Sequence, residues 1–299
     1  MNTRPRILLT GSDGQLGRYI VARFGDLHGF VPSARTVPPS SGIALDLDDR
    51  EAARSAVAAT RPDIVLHAAS LADVDRCERD RGAAVQSNVL ATRHLVSALA
   101  QEAPSARLIY VSTDQVYPGP GPSTEDMALP QGVYAITKMW GEDAALAFGN
   151  SLVVRLNFLA AGTEQRTSLG DWLSQSLIER RVITLFEDVL FNPLYAGDLP
   201  DLLLALAQSN ARGIVNLGAS GAGLSKADFG RALAKRLSLP IDNARSGKLA
   251  DVAMPAPRSL DTRMNVRRAE DILGIALPDI ETTIDRFVAD WLRRREQAT

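Results

Sequence analysis

The chain has 299 residues, of which 45% are hydrophobic and 23% are charged, and its formal net charge is −2. These values are ordinary for a globular protein in water, and they give no basic excess for nucleic acid or a membrane surface. The only cysteine, Cys77, excludes an internal disulfide and fits a reducing, cytoplasmic setting. We expect no metal site, because the histidines lack metal-ligand spacing: His28, His67 and His94.

Short apolar runs alternate with helical patterns along the first half of the chain. The predicted strands are 6–10, 29–34, 63–69, 106–113 and 151–158. The predicted helices between them are 14–24, 48–60, 83–103 and 133–148. This alternation indicates an α/β fold of the Rossmann type, which is a doubly wound parallel sheet with helices on both faces.

The pattern loosens beyond the fifth strand, where shorter elements follow an irregular loop at 160–172. We therefore predict a dinucleotide-binding domain at 1–158 and a smaller C-terminal substrate-binding lobe at 159–299. Segments near 187–212 are expected to return to the first domain. Further helices are predicted at 197–207, 225–237 and 279–295.

A glycine loop follows the first predicted strand. In "TGSDGQLGRYI", Gly11, Gly14 and Gly17 form the pattern G-x-x-G-x-x-G at a strand-to-helix junction. Glycines allow a tight turn and the close approach of a pyrophosphate, and the next helix supplies N–H donors and a favourable dipole. The loop therefore predicts a dinucleotide site.

The end of the second strand, "VPSARTV", bears on which dinucleotide binds. Many NAD-preferring proteins place an acidic residue there, which binds the ribose 2′-hydroxyl. This sequence has Ser33 and Arg35 instead, and an arginine can pair with a 2′-phosphate. We therefore predict NADPH as the cofactor, with NADH as the alternative.

Three side chains suited to carbonyl reduction follow. Thr113 ends the fourth predicted strand, at the sheet edge where open α/β folds bind ligands. Tyr134 and Lys138 are four residues apart, so they share one face of the next helix. Tyr134 would protonate the carbonyl oxygen, while the Lys138 ammonium would lower the phenol pKa from about 10 and would also bind the nicotinamide ribose. Thr113 would orient the carbonyl.

These motifs, taken together and in order, carry a family likeness. The chain resembles extended short-chain dehydrogenase/reductases, and most closely the dTDP-4-dehydrorhamnose reductase family. The matching segments are "GSDGQLG", "RPDIVLHAASLADVDRCE", "VSTDQVYPG", "YAITKMWGE", "RLNF" and "PRSLDTRM". The resemblance implies reduction of the 4-keto group of a nucleotide-activated deoxysugar, and a homodimer is the commonest assembly for such folds.

The resemblance also implies site residues. Cofactor contacts are implied at Gly14, Gln15, Leu16, Asp46, Leu47, Ala68, Ala69 and Ser70. Substrate contacts are implied at Thr113, Asp114 and Phe158. Phe158 stands where the family has a tryptophan, and an aromatic ring at this position can stack on a sugar or a base.

The sequence departs from the family pattern at three further places. His67 stands where the family often has asparagine, and "DVLFNPL" (188–194) replaces the family's "DQFGAPT". Tyr19 stands where some relatives carry a glutamate linked to an interfacial Mg²⁺, so we do not predict that metal. These departures put the exact sugar in question rather than the class of reaction.

Two other functions stay open at this point. A sugar-nucleotide dehydratase or epimerase uses the same superfamily fold, but dehydratases usually show Thr-Asp-Glu where this chain has Thr113-Asp114-Gln115. A non-catalytic regulatory subunit of the methionine adenosyltransferase type would bind cofactor and a partner enzyme without turnover.

Overall fold

The structure, a computed structural model, describes residues 5–36, 42–162 and 167–297. Its strands are β1 (Ile7–Thr10), β2 (Phe30–Ala34), β3 (Ile43–Ala44), β4 (Ile64–His67), β5 (Arg107–Thr113), β6 (Ser151–Leu156), β7 (Phe158–Leu159), β8 (Ile183–Phe186), β9 (Leu190–Phe191), β10 (Leu194–Tyr195), β11 (Gly213–Leu217), β12 (Leu224–Ser225) and β13 (Ala244–Gly247). Its α-helices are α1 (Gln15–Phe24), α2 (Arg50–Thr60), α3 (Val74–Arg79), α4 (Arg81–Val85), α5 (Ala91–Glu102), α6 (Gly132–Leu146), α7 (Leu169–Ile178), α8 (Leu199–Gln208), α9 (Lys226–Arg236), α10 (Arg267–Leu273) and α11 (Ile280–Gln297).

Seven strands form one large sheet in the order β11-β6-β5-β4-β1-β2-β3, and every pairing in it is parallel. The chain order reverses between β1 and β4. In open α/β sheets this switch point is where ligands bind, beyond the carboxyl ends of the strands. The prediction of a Rossmann-type doubly wound sheet is confirmed.

Side chains alternate between the two faces of the large sheet because successive residues of a strand point in opposite directions. Ile7 and Leu9 of β1 join a core beneath α1 and α8, whereas Leu8 joins the core beneath α2 and α5. The two cores fix both helical layers against the sheet, and they hold the carboxyl ends of the strands at one edge.

A smaller lobe has its own core, built from α7, β8, β9, α9 and α11. Helix α8 and strand β11 return to the large sheet, close to the segment expected to do so. The bounds of the two domains stay a prediction. In the described residues, no helix combines the length and the hydropathy that crossing a membrane requires.

Three predicted segments differ from the structure. The helix predicted at 83–103 contains a π-helical segment, Gln86–Leu90, between α4 and α5. The strand predicted at 151–158 stops at Leu156, and after Asn157 the chain forms β7, which pairs with β10 outside the large sheet. Within the irregular loop predicted at 160–172, α7 begins at Leu169, and residues 163–166 lie outside the described residues.

Candidate active site

The glycine loop lies at the switch point of the sheet. Gly11 has φ +74°, and a Cβ on it would lie 2.7 Å from the backbone of Ala69 at the end of β4. A Cβ on Gly17 would lie 2.1 Å from the Gly11 carbonyl oxygen, so α1 packs directly on the loop. Helix α1 begins at Gln15, immediately after Gly14. The loop therefore presents backbone and a helix N-terminus, as a dinucleotide site requires.

Two buried polar atoms of this loop support the same interpretation. The Ser12 hydroxyl and the Gln15 amide nitrogen have no hydrogen-bond partner among the described residues. Buried polar atoms in native proteins are nearly always hydrogen-bonded, so these two atoms have bonding capacity that a ligand in the loop could use. Ala68 and Ala69 are half-buried beside the loop and Ser70 is exposed. The residues present therefore fit a bound dinucleotide.

The three predicted catalytic residues are contributed by β5 and α6. Thr113 ends β5, and its hydroxyl donates to Asp114 Oδ1 at 3.2 Å and accepts from the Gln115 N–H at 3.2 Å. On α6, Tyr134 and Lys138 are both buried. The Lys138 ammonium donates to the Val111 carbonyl of β5 at 2.8 Å, so it reaches the strand two residues before Thr113.

The surroundings of Lys138 determine its charge. Its Nζ lies 4.3 Å from the centre of the Tyr110 ring. Burial lowers the pKa of Lys138 to about 7, and the nearby Glu142 carboxylate opposes that shift. Glu142 is itself held by Arg155 through contacts of 2.9 and 2.6 Å. The Glu142 carboxylate therefore favours the ammonium form of Lys138, but burial has the larger effect and the pKa stays lowered.

A family model described as the RmlD substrate binding domain matches residues 5–293. The chain belongs to this family.

Named relatives agree with this family assignment. The chain is 30% identical to a dTDP-4-dehydrorhamnose reductase of Mycobacterium tuberculosis (strain CDC 1551 / Oshkosh), over 94% of this chain and 96% of the relative. It is 31% identical to a probable dTDP-4,6-dihydroxy-2-methyloxan-3-one 4-ketoreductase of Streptomyces antibioticus, over 85% and 84% of the two chains. The resemblance inferred from the motifs is confirmed.

A solved structure shares the fold. The crystal structure of dTDP-4-dehydrorhamnose reductase from Bacillus anthracis str. Ames, in complex with NADP, has a TM-score of 0.86 and 21% sequence identity. The match covers 96% of this chain and all of that one. The structural match therefore extends over both the large sheet and the smaller C-terminal lobe of this RmlD-family chain.

At the end of β2, where the cofactor ribose is predicted to bind, the structure brings carboxylates beside the predicted arginine. Ser33 is buried, and its hydroxyl donates to the Leu9 carbonyl at 2.8 Å. Arg35 is exposed, and it pairs with Asp46 at 3.5 Å and Asp48 at 3.0 Å. The position of Arg35 suits a 2′-phosphate better than that of Ser33, although both roles stay predictions.

The other implied contacts are distributed around these residues. Leu16 and Leu47 point their side chains into the core, so contacts at these positions would involve the backbone. Asp114 is buried next to Thr113, whereas Phe158 is half-buried just beyond β6. Asn157, between β6 and β7, donates to Asp114 and thus joins the predicted substrate residues.

Sequence reasoning missed Asn88. This buried side chain accepts from the Leu71 N–H at 2.8 Å and donates to the Thr137 hydroxyl at 3.1 Å. Thr137 in turn donates to the Tyr134 carbonyl at 3.0 Å, so Asn88 fixes the turn of α6 that carries Tyr134. An asparagine inside an apolar helical pattern was the available signal, but the π-helical segment that turns it inward has no sequence signature.

Proposed function

We propose that this protein is an NADPH-dependent reductase acting on the 4-keto group of a nucleotide-activated deoxysugar. One observation carries the proposal. Thr113, Tyr134 and Lys138 lie on β5 and α6, at the carboxyl edge of the large sheet and on the β4 side of its switch point. Such a set of groups can bind, orient and protonate a carbonyl oxygen.

The residues divide the work of carbonyl reduction. When bound, NADPH supplies a hydride to the carbonyl carbon. Thr113 donates a hydrogen bond to the carbonyl oxygen and so fixes its position. Tyr134 donates a proton to the same oxygen as negative charge develops there, and the Lys138 ammonium stabilises the phenolate that is left. Arg35 binds the 2′-phosphate of the cofactor.

The names of two relatives support this substrate class, because both names describe reductases of dTDP-linked keto sugars. Dehydration is disfavoured, because the Gln115 amide donates to Asp114 Oδ1 at 3.2 Å and an amide cannot act as the required base. A homodimer and a cytoplasmic setting stay predictions from the sequence.

Incubation with NADPH and a panel of nucleotide-linked 4-ketosugars, beginning with dTDP-4-dehydro-L-rhamnose, tests this function. The Tyr134→Phe variant should lose at least about 100-fold in kcat, which is the contribution typical of a positioned general acid. It should still bind NADPH. The rate of NADPH absorbance loss at 340 nm measures turnover.

Trp140→Phe is the matched control, because Trp140 lies on α6 and is 47% exposed. This variant should retain wild-type turnover. Wild-type protein that oxidises no NADPH with any ketosugar, but recovers a stoichiometric partner enzyme in a pull-down, would support the regulatory-subunit alternative. Cofactor that stays bound through gel filtration would favour an epimerase.

A further inference from the structure

Helix α6 carries two of the three groups proposed to act on the carbonyl, and its buried face packs closely on β5. Tyr134, Lys138 and Glu142 follow one another at intervals of four residues, so they share one face of α6. All three are buried. A Cβ on Gly141 would lie 2.1 Å from the Tyr110 hydroxyl, so the helix lies directly against the strand. The position of α6 along β5 therefore depends on the polar contacts between them.

Two side chains of α6 bond to successive residues of β5. The Lys138 ammonium donates to the Val111 carbonyl at 2.8 Å. The Ser112 hydroxyl donates to Glu142 Oε1. Thr113, which would hold the carbonyl oxygen, is the next residue of the strand. The Ser112–Glu142 hydrogen bond therefore ties α6 to β5 one residue before Thr113.

Arg155 of β6 holds the Glu142 carboxylate in a fixed orientation. Its Nε donates to Oε1 at 2.9 Å and its Nη2 donates to Oε2 at 2.6 Å. Its Nη1 donates to the Tyr117 hydroxyl at 2.9 Å and to the Glu125 carbonyl at 2.7 Å, both in the loop that leads into α6. The two paired side chains are each 2% exposed. Bidentate, charge-assisted contacts of this kind are strong and geometrically specific.

We propose that Glu142 is a positioning residue for carbonyl reduction. The inference rests on the proposed function. Through its hydrogen bond with Ser112, Glu142 sets where Tyr134 stands relative to the end of β5. Proton transfer requires the donor within hydrogen-bond reach of the accepting oxygen. A small displacement of α6 along the strand would therefore slow the reaction without removing any reacting group.

Glu142 also acts on Lys138 through its charge. In the described part of the chain, the titratable groups that face Lys138 are His67 on β4, Cys77 on α3, Tyr110 on β5, and Tyr134 and Glu142 on α6. Burial lowers the pKa of His67 to about 3, raises that of Cys77 to about 11 and raises that of Tyr110 well above 10. These three groups are therefore uncharged near neutral pH. Burial also lowers the pKa of Lys138 to about 7, and the Glu142 carboxylate is the main charge that opposes this shift.

Two variants separate the hydrogen bond from the charge when kcat is measured across pH and calculated per site that binds NADPH. Glu142→Gln should lower kcat by about 100-fold, the loss that follows when a reacting group is displaced by about 1 Å. The fall in kcat at alkaline pH should also move to lower pH, because Lys138 loses its proton more easily without the carboxylate. Ser112→Ala removes the contact with the strand and keeps the ion pair. Its kcat should fall, while the alkaline fall stays at the wild-type pH.

Asp143→Asn is the control, because Asp143 is the next residue of α6 and is exposed; it should keep the wild-type kcat and pH profile. A wild-type kcat in Ser112→Ala would overturn the proposal, as would an alkaline fall that Glu142→Gln leaves in place. If Glu142→Gln does not fold, because Arg155 is left as a buried unpaired charge, the kcat of Ser112→Ala decides alone. If wild type reduces no ketosugar, the proposed function fails and this inference fails with it. If wild type turns over and both variants match it, only this inference fails.

Discussion

Lys138 combines two requirements that oppose each other at the scale of a single residue. It is buried, and its pKa is lowered from 10.5 to about 7 because burial disfavours the ammonium. Between these two pH values the unfolded chain binds a proton that the folded protein does not. Stability therefore rises with pH across this window, by up to about 1.4 kcal/mol per pH unit from this group alone.

Replacement of Lys138 by Met should stabilise the protein while it removes turnover. The methionine fills a similar volume without the cost of burying a charge, so the free energy of unfolding at pH 7 should rise by roughly 2 kcal/mol. Urea unfolding at pH 7 and pH 10 measures it. The gain should shrink toward pH 10, since only the wild type gains stability as its lysine loses the proton. A variant less stable than wild type at both pH values would contradict this account.

At the scale of secondary-structure elements, we propose that the charges at the ends of β2 and β3 set the cofactor preference. Arg35 follows β2, and both Asp46 and Asp48 follow β3. In the two ion pairs described here, Arg35 and Asp46 are exposed and Asp48 is half-buried, so these pairs contribute little to stability. Their arrangement instead sets what a 2′-phosphate meets: one arginine, together with two carboxylates that repel it.

Removing the positive charge of Arg35 and removing the negative charge of Asp48 should have opposite effects on the Michaelis constant for NADPH. Arg35→Ala should raise that constant about ten-fold, the equivalent of one charge-assisted hydrogen bond, and should leave the constant for NADH nearly unchanged. Asp48→Asn should lower it, because one repulsive charge is removed. Arg50→Ala changes the charge equally on the exposed start of α2 and serves as the control. An unchanged NADPH preference in Arg35→Ala would refute the assignment.

At the scale of the whole molecule, Tyr19 joins the two lobes. This residue of α1 donates to Asp290 of α11 at 2.8 Å and accepts from the Ala161 N–H at 2.9 Å. Asp290 also pairs with Arg293 and Arg294. The place where some relatives carry a glutamate thus holds a tyrosine–carboxylate hydrogen bond, which connects the glycine-loop helix to the small lobe.

Loss of this hydroxyl should loosen the contact between the lobes. Tyr19→Phe leaves a buried carboxylate oxygen and a backbone N–H with one partner fewer, so it should lower the free energy of unfolding by about 1–3 kcal/mol. Urea denaturation measures the loss, and hydrogen exchange should quicken in α11. Arg18→Ala, at an exposed position of the same helix, should change stability by no more than about 0.5 kcal/mol.

The sequence predicted what local chemistry dictates and missed what distant segments supply. Apolar runs and the glycine pattern were enough to predict the parallel sheet, the dinucleotide loop and the Tyr134/Lys138 helix face. Arg35 was recognised, but its pairing with Asp46 depends on how β3 aligns with β2. Asn157 is 43 residues from Asp114, and no spacing rule connects an asparagine with a carboxylate on a different strand end.

The π-helical segment Gln86–Leu90 lets the continuous helix formed with α4 and α5 pack against two different clusters. An α-helix turns about 100° per residue. A wider π-helical turn therefore rotates the side chains after it, about the helix axis, relative to those before it. Before the segment, Ala84 packs into the cluster that contains Tyr134; after it, Leu95 packs into the core beneath the sheet. Deleting one residue there would rotate the first part of this helix away from Tyr134 while the second part kept its place.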